Sequence, residues 1–552
     1  MAIILKQISA LHKVRLTEDA NYEEKKSYTA LAGQRVSYQI VLRSTVAIDK
    51  MPKVWIESEL SEYIRLYSVK DVVVDKPSRE YVTNENYLLN EPGLLPDVLV
   101  PIDRQNDLIS IFGFDKVVVW VKVDIPADIK PGKYSVKFFV DLKDDATAPY
   151  PSCEIEINVL PAQLPEQTVR YTRWFYADCI ADIHDAEIFS ERHWMLIEEY
   201  IKAATDSGIN MILVPTHTPP LDTAVGTTRP CVQLVDIEKK GDTYIFGFEK
   251  FRRFIDICKR NGVKYYEMAH LFSQWGSKCA PNIMVTENGK TDYMFGWHVA
   301  ADSDEYRTFI AQYVAAISAE LKLAEISDYA YFHVSDEPNM DNIDKYEIAK
   351  NILKPLIGNA KTLDALSHCE FYEKGLVECP VTSVTHAHEF LKRDVKELWV
   401  YYCCGPERVF TNSFIAMPSP RTQILGYQMY KYDIKGFLHW GFNFYNSSTS
   451  RYKTNPYMTT SCDRHYASGD PFIVYPGKDT AYPSIRAEIT FEAMQDIRIC
   501  QALEALIGRE AVVAMIDEAA GMDLRFDQYP CSAEFLEGLR SKMLAEIEKL
   551  TK

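Results

Sequence analysis

A chain of 552 residues with a formal charge of −17 is too long for a single hydrophobic core, so two or more domains are expected. Its 47% hydrophobic and 25% charged residues are those of an ordinary globular protein, and the acidic balance argues against nucleic acid or an anionic membrane as the main partner. The 34 tyrosines and 8 tryptophans offer flat amphipathic rings that suit sugars, although such rings also serve cores and interfaces.

The first residues, "MAIILKQISALHKVRL", hold an apolar run too short for the hydrophobic region of a signal peptide. No later segment has the roughly 20 apolar residues that span a bilayer. A cytoplasmic location without a membrane span is therefore expected. The 12 cysteines include the neighbours Cys403 and Cys404 but no paired C-x-x-C spacing, which reads as free thiols in a reducing compartment. The sequence is silent on oligomeric state.

Up to Leu160 strand follows strand: "RVSYQIVLRS", "KVWIES", "KVVVWVKVDI", "KYSVKFFVDL" and "CEIEINVLP" are rich in β-branched and aromatic residues. A two-sheet, immunoglobulin-like β-sandwich over residues 1–160 is expected. The Pro-Gly turn in "PADIKPGKY" is expected to join two of these strands as a hairpin. "LPAQLPEQ", Leu160–Gln167, reads as a linker.

The rhythm then changes to strand, helix, strand. "YTRWFY" precedes an amphipathic helix with Trp194, Ile197, Ile201 and Ala204 on one face, closed by the glycine stop in "DSGIN". Seven more strand candidates follow: "NMILVP", "VKYYEMA", "YAYFHVS", "TLDALS", "VTSVTH", "LWVYYC" and "FLHWGF". Eight strands alternating with helices predict a (β/α)8 TIM-type barrel over residues 168–482. "CVQLVDIEKKGDTYIFGF" reads as a β-hairpin inserted on the catalytic side, and residues 483–552 as a helical segment, two helices packed on the barrel.

Barrel chemistry sits at the carboxyl ends of the strands. There the fourth strand delivers "SDEP", with Asp336 and Glu337 side by side and Pro338 blocking further strand pairing. Ordinary glycosidases flank the scissile bond with two carboxylates about 5–9 Å apart, and the seventh strand offers no acid before Glu407. Adjacent acids suit substrate-assisted hydrolysis better. In that scheme a 2-acetamido oxygen is the nucleophile, one acid orients the acetamide N–H and the other protonates the leaving oxygen.

"YFHVSDEP", "LWVYYCCGPERVFTNSF", "GFLHWGFNFY" and "GDPFIVYPGKDTAYPSIRAE" together resemble glycoside hydrolase family 123, the β-N-acetylgalactosaminidases and their relatives, from about Tyr171 to the end. The resemblance implies Glu337 as general acid/base and Asp336 as stabiliser of the acetamide and its oxazolinium intermediate. It implies a retaining exo-glycosidase that releases terminal β-linked N-acetylgalactosamine from a glycan or glycoconjugate.

Around the pair, Trp440 at the end of the eighth strand is a candidate to stack on the sugar, as tryptophan does in the families this chain resembles. Asn443 is a candidate to bond its hydroxyls. Tyr401 is a candidate donor to the acetamide oxygen, with Tyr402 pointing the opposite way on the strand; which of the two faces inward stays open. Trp174, His217, His270, Trp275 and Trp297, on or after the first three strands, are weaker candidates. "THAH" places His386 and His388 on one side of a strand, a spacing that also fits metal ligands but lacks an accompanying acid set. No phosphate loop or dinucleotide fingerprint occurs, and neither a cofactor nor a metal is expected. Two rivals stay open: another glycosidase specificity using a second acid, Glu267 or Glu407, and a non-catalytic carbohydrate-binding protein on the same barrel.

Overall fold

The valine-rich alternation of the first third resolves into two sheets. A computed structural model describes residues 3–552 except 17, 19–20, 45–50, 81–85, 103–108, 110–115, 142–149 and 394. Within it, Ile3–Ser9, Arg35–Ser44, Lys116–Asp124, Ile64–Val74 and Gly93–Pro101 pair in that order as an antiparallel five-stranded sheet. Ser27–Ala32, Ser152–Gln163, Gly132–Asp141 and Lys53–Glu57 form a four-stranded one. Inward residues of both, such as Ile40, Val119 and Val121 from the first and Val54, Val136 and Ile155 from the second, share one buried cluster.

Two local expectations change. "PADIKPGKY" does not close a hairpin, because Lys116–Asp124 lies in one sheet and Gly132–Asp141 in the other. The link is instead tied across to the turn at Gly33 and Gln34, through Gly33 N–H to the Pro126 carbonyl at 3.2 Å and Ile125 N–H to the Gln34 carbonyl at 3.0 Å. "LPAQLPEQ" also begins inside a strand. Ser152–Gln163 runs through Pro161, and a register shift opposite Ala30 and Ala32 accommodates the residue that lacks an N–H.

Met1–Gln167, Arg408–Lys431 and Tyr482–Lys552 form one compact unit; Thr168–Glu407 and Tyr432–Ala481 form the other. The terminal helices therefore belong with the two sheets, not with the barrel as expected. Buried charge explains the grouping. Arg486 of helix Ile485–Ile507 holds Asp97 at 2.9–3.0 Å, and Glu488 accepts from Lys122 at 2.9 Å and from Arg35 at 3.4 Å. A third helix, Arg509–Ala520, lies between the two expected ones. It buries only Val512, Ile516 and Ala520, a stripe too narrow to stand out in the sequence. No helix among the described residues is long and apolar enough to cross a membrane.

All eight expected barrel strands are present and close into a parallel barrel in chain order. We number them β1 (Arg170–Arg173), β2 (Met211–Val214), β3 (Tyr265–Met268), β4 (Ala330–Phe332), β5 (Lys361–Ala365), β6 (Cys379–Ser383), β7 (Trp399–Tyr401) and β8 (Gly436–His439). Closure runs through β1 and β8, with Thr172 opposite Leu438. At Gly436 a Cβ atom would fall 2.1 Å from the Trp399 ring, so this strand position admits only glycine beside the buried indole.

Helix α1 (Glu191–Asp206) follows β1 and buries the expected Trp194, Ile197, Ile201 and Ala204, with the Ser190 side chain capping its first turn. The inserted hairpin, Asp236–Lys240 with Thr243–Gly247, is also present. It is half of a four-stranded sheet completed by Ile283–Glu287 and Lys290–Phe295 from the β3–β4 connection. "THAH" is not a strand. β6 ends at Ser383, whose hydroxyl bonds Thr385 at 3.0 Å, and a short helix starts at Ala387. His386 and His388 are exposed on this turn, with His388 against Glu389 at 2.8 Å.

Candidate active site

Residues 333–335 follow β4 and are bonded to the segment after β3. Leu271 N–H donates to the His333 carbonyl, Phe272 N–H to that of Val334, and the Ser335 hydroxyl to the Ser273 carbonyl. The path breaks at Glu337, which has φ 43°, a left-handed value rare for a non-glycine residue and more restrictive still before proline. Because the chain has left the strand, side-to-side alternation no longer separates the two acids. Asp336 and Glu337 both line one cavity of about 180 Å³ at the carboxyl end of the barrel.

Burial pushes the Asp336 carboxyl well above the ordinary carboxylate range. The charge of Glu337 acts in the same direction, as do Asp364 and Asp222, while His333 opposes them. Glu337 is the more exposed of the two and accepts a hydrogen bond from the Tyr401 hydroxyl at 3.0 Å. Tyr401 thus faces the cavity. Tyr402 points away and packs its ring on Phe437 and His439.

Behind the pair lies a fully buried polar chain. Glu267 on β3 accepts from the Thr172 hydroxyl, from Trp174 Nε1 at 3.1 Å and from His333 Nε2 at 2.8 Å. His333 Nδ1 lies 3.2 Å from Asp364, which also receives Val334 N–H and the Tyr346 hydroxyl. Burial alone would lower the His333 pKa, but the bonds to Asp364 and Glu267 hold it up at about 9. His270 stacks on His333 at 4.1 Å and 17°, and burial lowers its pKa well below the ordinary histidine value. His270, His333 and Asp364 are close enough to suggest a metal site. The stacking argues against one, since in-plane lone pairs of near-parallel rings do not converge on a single ion, and both His333 nitrogens already have carboxylate partners.

The other expected site residues divide. Trp174, Trp275 and Trp440 line the cavity, with Trp440 fixed by its Nε1–H to Asp470 at 3.0 Å. His217, His270, Trp297 and Asn443 do not line it, and neither do Glu267 or Glu407. His217 is buried against the His270 carbonyl at 2.8 Å. Asn443 is fully buried and uses both ends of its amide on the Tyr176 backbone, at 2.9 and 3.0 Å. Asn443→Ala is accordingly expected to cost about 1–3 kcal/mol of stability, the scale of leaving buried backbone groups unpaired, with KM unchanged. Thermal melts beside substrate kinetics check this.

Sequence reading missed Asp222, Gln274 and Tyr466 on the cavity wall. "THTPPLD" directly after β2 was a usable signal for Asp222, because an acid in a loop at a barrel strand's carboxyl end is well placed to reach ligand. Tyr466 carries no such signal, lying well past the last barrel strand.

The model of the glycoside hydrolase 123 catalytic domain matches residues 174–503. A family 123 glycoside hydrolase from Clostridium perfringens, studied for glycolipid glycan hydrolysis, superposes with a TM-score of 0.72 at 15% identity, covering 100% of this chain and 98% of that one. A Bifidobacterium dentium β-glucuronidase aligns at a TM-score of 0.30 and 8% identity over 89% of this chain and 66% of its own. No curated protein matches the sequence. The family match spans more than half of the chain and takes in the acid pair, the cavity tryptophans and barrel strands β2 to β8: the protein belongs to glycoside hydrolase family 123 and is a glycosidase.

Proposed function

We propose that this glycosidase releases terminal β-linked N-acetylgalactosamine from a glycan or glycoconjugate with retention, using the sugar's own acetamide as nucleophile. The observation that carries the reading is the acid pair itself, two neighbouring carboxylates on one cavity wall. The acetamide oxygen attacks C1 while Glu337 gives its proton to the leaving oxygen. An oxazolinium ion forms, and Glu337 then takes a proton from the water that opens it. Asp336 accepts the acetamide N–H and balances the cation. Accepting that bond favours the ionised form of Asp336, so substrate binding moves the pair's proton toward Glu337, where the acid step needs it.

Tyr401, bonded to Glu337 in the free protein, reaches the acetamide oxygen only by leaving that carboxylate. The second-acid rival is weakened because Glu267 is fully bonded inside the barrel and Glu407 does not line the cavity. A glycolipid glycan is a fitting natural substrate, given what the Clostridium perfringens enzyme acts on. In the first unit, the shared core supports an immunoglobulin-like sandwich.

A panel of nitrophenyl glycosides tests the reading. The N-acetylgalactosaminide is expected to turn over and the plain galactoside not, and a thiazoline analogue of the sugar is expected to inhibit strongly because it resembles the cyclised intermediate. Equal rates on galactoside and N-acetylgalactosaminide would defeat the acetamide as nucleophile.

A further inference from the structure

Three carboxylates line the cavity, Asp222, Asp336 and Glu337, and no lysine, arginine or histidine lines it among the described residues. Two of these acids have a place in the reaction above. Asp222 has none, yet it is held with unusual care. Its N–H donates to Gln274 Oε1 at 2.8 Å, and its carbonyl accepts from the Ser450 hydroxyl at 2.7 Å. Of its carboxylate oxygens, Oδ1 accepts from the Tyr466 hydroxyl and Oδ2 from Thr449 N–H, each at 3.1 Å. Each oxygen so engaged keeps a lone pair for a ligand hydroxyl. Its backbone sits at φ 40°, so the side chain is aimed from a conformation that the surrounding bonds must hold. Arg229, the cation closest in sequence, is buried in an ion pair with Asp178 at 3.2 Å and does not line the cavity.

We propose that Asp222 sets the charge specificity of the cavity: it accepts hydroxyls of a neutral sugar and rejects the same sugar carrying a sulfate or carboxylate. This rests on the cavity being the site for terminal N-acetylgalactosamine. An anionic group brought within several ångströms of these acids, with no cation lining the cavity to meet it, is repelled. The charges of Arg229 and His465 reach Asp222 from outside the lining, and that of Arg229 is already paired with Asp178. A neutral ring with hydroxyl donors meets acceptors instead. Asp222 also acts electrostatically on Asp336, so the field that excludes anions reaches the reacting end of the cavity.

The test compares nitrophenyl β-N-acetylgalactosaminide with its 4- and 6-O-sulfates and with a 6-O-acetyl ester as a neutral group of similar bulk, on wild type and Asp222→Asn. Wild type is expected to show kcat/KM lower by on the order of 10²-fold on the sulfates, but not on the acetyl ester. Asp222→Asn, which keeps an oxygen acceptor and a residue tolerant of positive φ, is expected to narrow that gap at least tenfold, about the effect of one like charge removed. The wild-type ratio requires no variant, so a misfolded Asp222→Asn does not leave the idea standing by default. Sulfated and plain sugars cleaved alike by wild type, or an unchanged ratio in folded Asp222→Asn, overturn it. If the N-acetylgalactosaminide is not cleaved at all, the substrate reading fails first. The same neutral and sulfated pair is then made from whichever glycoside is cleaved, and equal rates there overturn the charge specificity on its own.

Discussion

Glu337→Gln is expected to lower kcat/KM by on the order of 10²–10⁴-fold on glycosides with poor leaving groups, and far less on nitrophenyl substrates that need no proton. Glutamine fills the same volume and can still receive the Tyr401 hydroxyl, so the lost element is the transferable proton. Asp336→Asn is expected to behave differently. It keeps an amide but removes the charge proposed to orient the acetamide N–H and to offset the oxazolinium cation. Good and poor leaving groups should therefore suffer alike, by about 10²–10³-fold. Azide is not expected to rescue Asp336→Asn as a glycosyl azide, because in the proposed mechanism no protein carboxylate is the nucleophile. Kinetics of both variants on fast- and slow-leaving substrates decide the matter. Leaving-group dependence appearing in Asp336→Asn would exchange the two roles, and wild-type rates in both would reduce the pair to a strand-end feature.

The second large effect is on stability. His333 is held at about 9 against an ordinary value of 6.5 by two carboxylates in a site without solvent. A raised histidine contributes stability that is fully present below pH 6.5 and is lost as pH rises from 6.5 through about 9. The difference corresponds to about 3 kcal/mol. Other groups titrate nearby. Lys13, which burial holds down at about 8, favours folding as pH rises from there toward 10.5, the opposite sign. His333→Gln isolates the histidine. The variant is expected to be weaker overall, since Glu267 and Asp364 lose a buried cation, and to lack the decline between pH 6.5 and 9. Urea unfolding of both proteins across that range provides the comparison. Parallel curves would show that His333 does not carry a proton in the folded barrel.

The same network affects the reaction. His333 lies three residues before Asp336, and its positive charge is the one influence among the larger ones that favours the ionised carboxylate there. The polar chain inside the barrel thus links the stability of the scaffold to the charge state of a proposed catalytic acid.

The barrel was legible in the sequence because its strands are buried on both sides and read as short continuous apolar runs, each separated from the next by a segment of helical period. The acid pair was legible because a hydrophobic strand that ends in Asp336, Glu337 and a proline has few other uses. Local signals failed where the partner lay far along the chain. A Pro-Gly turn says that the chain bends, not which sheet receives the next strand, and so Gly132–Asp141 was placed beside the wrong neighbour. The terminal helices were assigned by adjacency to the barrel, whereas Arg486 and Glu488 meet charges from residues 35 to 122.

Polar residues show the limit most clearly. Asn443 and Glu267 are of the right type and near the right strand ends to bind sugar, but hydrogen-bonding capacity is the same whether the partner is a ligand, a backbone or a buried histidine. Only folding revealed that Tyr176 occupies the first and that Thr172, Trp174 and His333 occupy the second. Asp222 is the converse case, met by Tyr466 from 244 positions away. Periodicity determined the barrel of this protein, and the Asp336–Glu337–Pro338 motif at a strand end pointed to its proposed catalytic acids. Tertiary structure decided which of the remaining polar groups stay free to meet a substrate, because that depends on long-range partners that no stretch of sequence contains.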